Sequence, residues 1–129
     1  MAIYPSPADN IYPDLLGTTT SPGVVEAALH IGASLRCFEG HFPGSPIAPG
    51  VAQISWAVHF ARELLGLDAP VKSVERLKFT HVIQPDQQLR LRLEYKPEKN
   101  ALQFCFDRDA TLAAEGATLF SQGWLIYEA

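Results

Sequence analysis

The chain has 129 residues, 47% hydrophobic and 19% charged, with a formal net charge of -4 and a mean hydropathy of +0.03. This length suits one domain with a real core, and the acidic balance offers nucleic acid no basic surface. No run approaches the ~18 apolar residues of a membrane span. The first ten residues carry neither a basic nor an apolar stretch of the kind that starts a signal peptide. The expected location is the cytoplasm. Cys37 and Cys105 lie in apolar stretches, where buried free thiols are expected rather than a disulfide, in keeping with a reducing compartment.

A single domain is expected over 1–129, with residues 1–10 as a loosely held lead-in. Residues 11–17 are apolar enough to pack as a short turn or helix, and 18–23 are turn-rich. Residues 24–31 read as a strand that Gly32 breaks, and 34–38 alternate like a second one. Between Gly40 and Gly50 stand Pro43, Pro46, Pro49, Gly44 and His41. Proline fixes φ and glycine supplies the tight turns, so this segment is a stiff, bent loop.

Pro49 and Gly50 launch a helix over 50–65. At about 100° per residue, Ser55, His59, Arg62 and Glu63 share one stripe, while Val51, Ile54, Trp56, Ala57, Val58, Phe60, Ala61, Leu64 and Leu65 fill nearly all the rest. A helix so apolar is wrapped by other structure, and a second copy of the chain is expected to complete its burial. Gly66 is placed to cap it. Residues 71–80 and 88–95 read as strands joined through a turn at Pro85-Asp86, and 89–95 alternate strictly. Residues 97–100 form a hairpin turn into a strand over 101–107, and 113–127 close the chain as one or two further strands. The class is α+β: antiparallel strands and one long central helix.

From Gly40 to Val51 the sequence reads G-H-F-P-G-S-P-I-A-P-G-V. This stretch resembles the hotdog-fold 3-hydroxyacyl-acyl-carrier-protein dehydratases of fatty-acid synthesis, whose motif G-H-F-P-G-x-P-I-x-P-G-V it matches at every fixed position. Tyr12-Pro13 with Leu15-Leu16, and Lys78-Phe79 with Pro85, Gln88 and Leu89, extend the resemblance over about residues 11–125. It implies an antiparallel sheet wrapped around the helix, in a homodimer or larger homo-oligomer with active sites between protomers. It implies an acyl carrier protein or CoA thioester as partner, whose phosphopantetheine carries the substrate, with no cofactor of the chain's own. A subgroup of the family serves aryl-polyene pigment clusters, and the short, divergent chain is placed there. One position departs from the pattern. The family's catalytic carboxylate lies fourteen residues after the loop histidine, and here that residue is Ser55. His59 stands four residues further, where the family often has glutamine.

Dehydration of a 3-hydroxyacyl thioester needs a base for the α-proton, donors for the charge on the thioester oxygen, and an acid for the departing hydroxyl. His41 titrates near working pH and suits the base; the bland alternative is a histidine that ties down the loop. The amides of Gly50 and Val51 lack helical partners and suit the oxyanion. A serine is too weak an acid to replace a carboxyl, so either His59 supplies the proton, directly or through Ser55 and water, or His41 makes both transfers. His59 is otherwise a polar residue at a dimer seam or a satisfied core histidine. Ser55, His59 and Glu63 have the composition of a nucleophilic triad, but at i, i+4 and i+8 on one helix they point outward in parallel. Phe42, Trp56 and Phe60 either line an acyl tunnel or pack the core. His30 and His81 are expected to be structural, and the four histidines have no metal-ligand spacing. Lys72, Arg76, Lys78, Arg90 and Arg92 form either a rim for an acidic carrier protein or solvated strand faces. The alternatives to a dehydratase are an acyl thioesterase, or a non-catalytic acyl-carrier-binding chain that forms a heterodimer with an active paralogous dehydratase.

Overall fold

The structure is a computed structural model and describes residues 10–39, 47–108 and 118–129. Its elements are β1 (Asp14–Ser21), β2 (Val24–His30), α1 (Gly50–Leu65), β3 (Val71–Phe79), β4 (Gln88–Lys96), β5 (Ala101–Arg108) and β6 (Thr118–Tyr127). The strands form one antiparallel sheet in the order β1-β2-β4-β5-β6-β3. Alternation sets its two faces. Leu89, Leu91 and Leu93 of β4 are buried, as are Leu102, Phe104 and Phe106 of β5, and both rows face the helix. Trp56, Ala57, Phe60 and Ala61 answer them from α1. This is the hotdog arrangement that the resemblance implies.

The helix runs over the expected residues, from the N-cap Pro49 to Gly66, whose φ of 70° is the left-handed cap that glycine adopts at low cost. Two expectations fail. Residues 11–17 and 18–23 are not a helix and a turn: β1 occupies most of both, pairing along β2 until a turn at Pro22-Gly23. Its β-branched Thr18, Thr19 and Thr20 suit a strand, and the pairing with β2, which no local pattern announces, decides the outcome. Residues 34–38 are not a strand. Arg36–Phe38 make a single 3-10 turn, in which Leu35 and Phe38 are both buried at the i, i+3 spacing of such a turn. Val51, assigned to the apolar wrap, is 75% exposed, because within one chain the sheet covers only one side of the helix.

The expected lead-in over 1–9 and the expected strand portion over 113–117 lie outside the described residues. Asn10 is held at the edge of the fold: its carbonyl accepts from the Arg36 amide at 2.9 Å, and its side chain donates to Ser34 Oγ at 2.8 Å. Cys37 and Cys105 are free thiols, and burial pushes each up to about 11. No helix among the described residues is long and apolar enough to cross a membrane.

Candidate active site at the start of the helix

The segment leading into α1 is docked on the connection between β3 and β4. The Ala48 amide donates to the Ile83 carbonyl at 2.8 Å, and both residues are buried. Proline at the N-cap has no side chain that could bond the first helical amides, and the first turn holds no acidic residue. The amides of Ala52 and Gln53 turn back to the Pro49 carbonyl at 3.0 and 3.3 Å. Those of Gly50 and Val51 have no partner among the described residues. The positive end of the helix is therefore left open at the two amides the sequence singles out.

In front of it lies a concavity of about 250 Å³, lined by Ile47, Ala48, Pro49, Gly50, Gln53, Phe79, Thr80, His81 and Val82. Gly50 meets a close approach: a Cβ there would fall 2.6 Å from Phe79 Cζ, so the far end of that ring would have to move. His81 is tied to the strand frame, with Nδ1 3.0 Å from the Leu119 carbonyl and its ring edge-on to Phe120. A larger hollow of about 320 Å³ lies around Thr18, Glu26 and Arg90 on β1, β2 and β4, and none of its lining residues belongs to the helix start.

His41 and Phe42 lie outside the described residues. Ser55 is exposed on the side of α1 turned away from the sheet. His59, one turn on, is half-buried under Tyr12, whose ring stacks on the imidazole with centroids 3.6 Å apart and planes 9° from parallel. Burial lowers the pKa of His59; the Glu63 carboxylate works against that shift and the Arg62 guanidinium adds to it. Trp56 is 1% exposed, packs edge-on against Phe106 and donates from Nε1 to the Ile11 carbonyl at 3.0 Å. It is a core residue that straps the chain before β1 to the helix, and it does not line the concavity. Phe60 is likewise in the core.

The basic residues divide. Arg90 makes two hydrogen bonds to Asp107, at 2.9 and 3.0 Å, and Arg92 is held by Glu94 at 3.0 Å, with Glu26 near both. They belong to an ionic lattice on the outer face of the sheet. Lys72, Arg76 and Lys78 lie on β3 at the sheet edge. His30 is structural, bridging Asp14 of β1 at 3.3 Å and Asp86 of the following turn at 3.8 Å. No cluster of three or more metal-ligating side chains occurs among the described residues. Sequence reasoning missed Gln53, Phe79, Thr80 and His81. Gln53 left a readable signal, a polar side chain at the centre of an apolar helical arc. The others come from a strand end, and only the fold brings them to the helix.

The ApeI-like family model, described as ApeI dehydratase, matches residues 18–117. The 3-hydroxyacyl-[acyl-carrier-protein] dehydratase FabZ of Novosphingobium aromaticivorans is 29% identical over 109 residues, covering 78% of this chain and 69% of that protein. FabZ of Moorella thermoacetica is 34% identical over 96 residues, covering 67% of each. Among solved structures, a chain of the dehydratase heterocomplex ApeI:P from Xenorhabdus doucetiae matches with a TM-score of 0.77 and 31% identity, over 88% of this chain and 96% of that one. The dehydratase domain of the CurF module of curacin polyketide synthase shares the fold, with a TM-score of 0.64 at 16% identity, over 95% of this chain and 45% of that one.

Proposed function

Because the chain belongs to the ApeI-like dehydratase family, we propose that it removes water from 3-hydroxyacyl groups carried as thioesters on an acyl carrier protein. The observation that carries this reading is the helix start: two amides, Gly50 and Val51, without a partner among the described residues, above an apolar concavity. Donors held in a site of low polarity stabilise charge that builds on a thioester oxygen far better than water does. His41 takes the α-proton, and the electron pair moves to the thioester oxygen held by the two amides. As that charge returns, the Cα=Cβ bond forms and the Cβ–O bond breaks. The proton reaches the departing hydroxyl from His41 itself. The lowered pKa of His59 keeps its ring neutral near pH 7, which suits a positioning role better than that of the acid.

The substrate arm is the carrier's phosphopantetheine, and a CoA thioester presents the same arm. The chain needs no cofactor of its own. Fatty-acid or aryl-polyene synthesis in the cytoplasm is the setting that fits a family of this chemistry. A second protomer, identical or a paralogous dehydratase, covers the exposed side of α1 around Val51 and Ser55. The serine in place of a carboxylate favours one second reading, in which this chain lends half a site to an active paralogue. The heterocomplex among the structural relatives supports it.

The test is the intact mass of a 3-hydroxyacyl carrier protein incubated with the purified chain. Loss of one water is expected, and loss of the whole acyl group would make the protein a thioesterase instead. His41→Ala should abolish the water loss. If it proceeds equally fast, the mechanism is wrong.

A further inference from the structure

Gln53 is 2% exposed and lies at the centre of the helix face turned toward the sheet. Its Nε2 donates to the Ala48 carbonyl at 3.1 Å. A carbonyl accepts and cannot donate, so this bond determines which end of the amide is nitrogen. The other end, Oε1, is therefore an acceptor. It is buried and has no hydrogen-bond partner among the described residues. A buried acceptor left unpaired is costly, and a leucine or methionine would fill the same space without it. Ser121 Oγ and Tyr127 Oη are also buried without a partner among the described residues, but neither residue lines the concavity at the helix start, and Gln53 does.

Helical side chains lean toward the N-terminus, so a residue three positions inside the helix sets its amide beside the first turn. The bond to Ala48 shows this directly. The helix start thus carries two donors, the Gly50 and Val51 amides, and Gln53, which lines the same concavity, carries one buried acceptor. A 3-hydroxyacyl thioester presents the complementary pair: a carbonyl oxygen, and a hydroxyl only one methylene carbon removed from that carbonyl. We infer that Gln53 Oε1 accepts a hydrogen bond from the β-hydroxyl of the bound acyl group, and so sets a preference for hydroxylated over saturated chains. This rests on the dehydratase reading, and it adds a specificity residue that the loop motif does not announce. Sites built to hydrogen-bond a substrate hydroxyl discriminate against analogues lacking it, because the buried partner is otherwise left unpaired.

Two amide-linked ligands that do not turn over test it by calorimetry: 3-hydroxyoctanoyl pantetheine and octanoyl pantetheine. The full chain should bind the hydroxylated ligand about 5–10-fold more tightly, the worth of one buried hydrogen bond. In Gln53→Leu and Gln53→Met the ratio should fall to within about 2-fold, with affinity for octanoyl pantetheine kept. Gln53→Glu gives a further readout. A carboxyl group keeps an oxygen that accepts from the hydroxyl, so the preference for the hydroxylated ligand should persist in this variant, and its loss would overturn the inference. Equal binding of the two ligands by the unaltered chain overturns the inference, and needs no variant to fold. So does an equal loss of both ligands in Gln53→Met, which would mean that Oε1 serves the pantetheine arm or the fold. Because no turnover is measured, a chain that fails to dehydrate its thioester can still show the preference, and the two failures are told apart.

Discussion

His59 carries its imidazole where burial opposes a charge. Tyr12 covers one face, Phe60 meets the ring edge-on, and the flanking Glu63 and Arg62 act in opposite directions. With its pKa lowered in the folded chain, the unfolded chain binds the proton more readily. The stability tied to the neutral ring is fully present above the ordinary histidine value of about 6.5 and is lost as pH falls through the folded value. Denaturation midpoints at pH 7.5 and pH 5 should therefore differ more for the unaltered protein than for His59→Gln. An identical drop in both would place the acid sensitivity elsewhere. At the same scale, Gln53 and Ser55 show how two residues apart on one helix differ in kind. One is enclosed against the sheet, the other exposed on the far side, because a step of two residues turns the helix by about 200°.

The start of α1 works as an element because no described residue bonds its first two amides. An N-cap serine or aspartate would bond the first amides and stabilise the helix by about 1 kcal/mol, whereas Pro49 leaves them open. At Gly50 the three atoms nearest to an added Cβ all belong to the ring of Phe79. In Gly50→Ala the new methyl must displace the far end of a ring that is 47% exposed and free to swing. The substitution also gains up to about 1 kcal/mol of helix propensity. The melting temperature should thus move by no more than about 3 °C. Dehydration should fall at least about tenfold, because methyl and displaced ring crowd the oxyanion position. A variant of unchanged rate would show that the thioester oxygen does not sit at these amides.

Across the whole molecule, the sheet wraps one side of the helix and leaves the other side bare. At one end of the strand order, β3 pairs among the described strands with β6 only, so no described strand covers its outer edge. Leu77 and Phe79 on β3 and Val82 just beyond it are 39%, 47% and 52% exposed, and Val51 on the helix is 75% exposed. Open strand edges with apolar side chains recruit another strand, and a second copy or a paralogue set against β3 would cover both features. Replacing Leu77 and Val82 together by lysine should convert the sedimenting species to a monomer while the circular dichroism spectrum is retained. If the assembly persists, the protomers meet elsewhere.

Composition, spacing and a twelve-residue motif were enough to determine a single α+β chain with a helix from Gly50 to Leu65, capped by Gly66, and amides waiting at Gly50 and Val51. These are local properties, because helical periodicity, proline and glycine act within a few residues. The tertiary structure alone decided what depends on distant partners. Pairing with β2 drew residues 14–21 into a strand, against the turn and helix that their own composition suggests. Docking of Ala48 on Ile83 brought the end of β3 to the helix mouth, and with it Phe79, Thr80 and His81. Tyr12 reached His59 across 47 residues and put a stacked ring where the helix pattern alone shows an open polar stripe. The unpaired oxygen of Gln53 belongs to both: its place on the apolar face is written in the helical period, but its lack of a partner follows only from what the sheet packs around it.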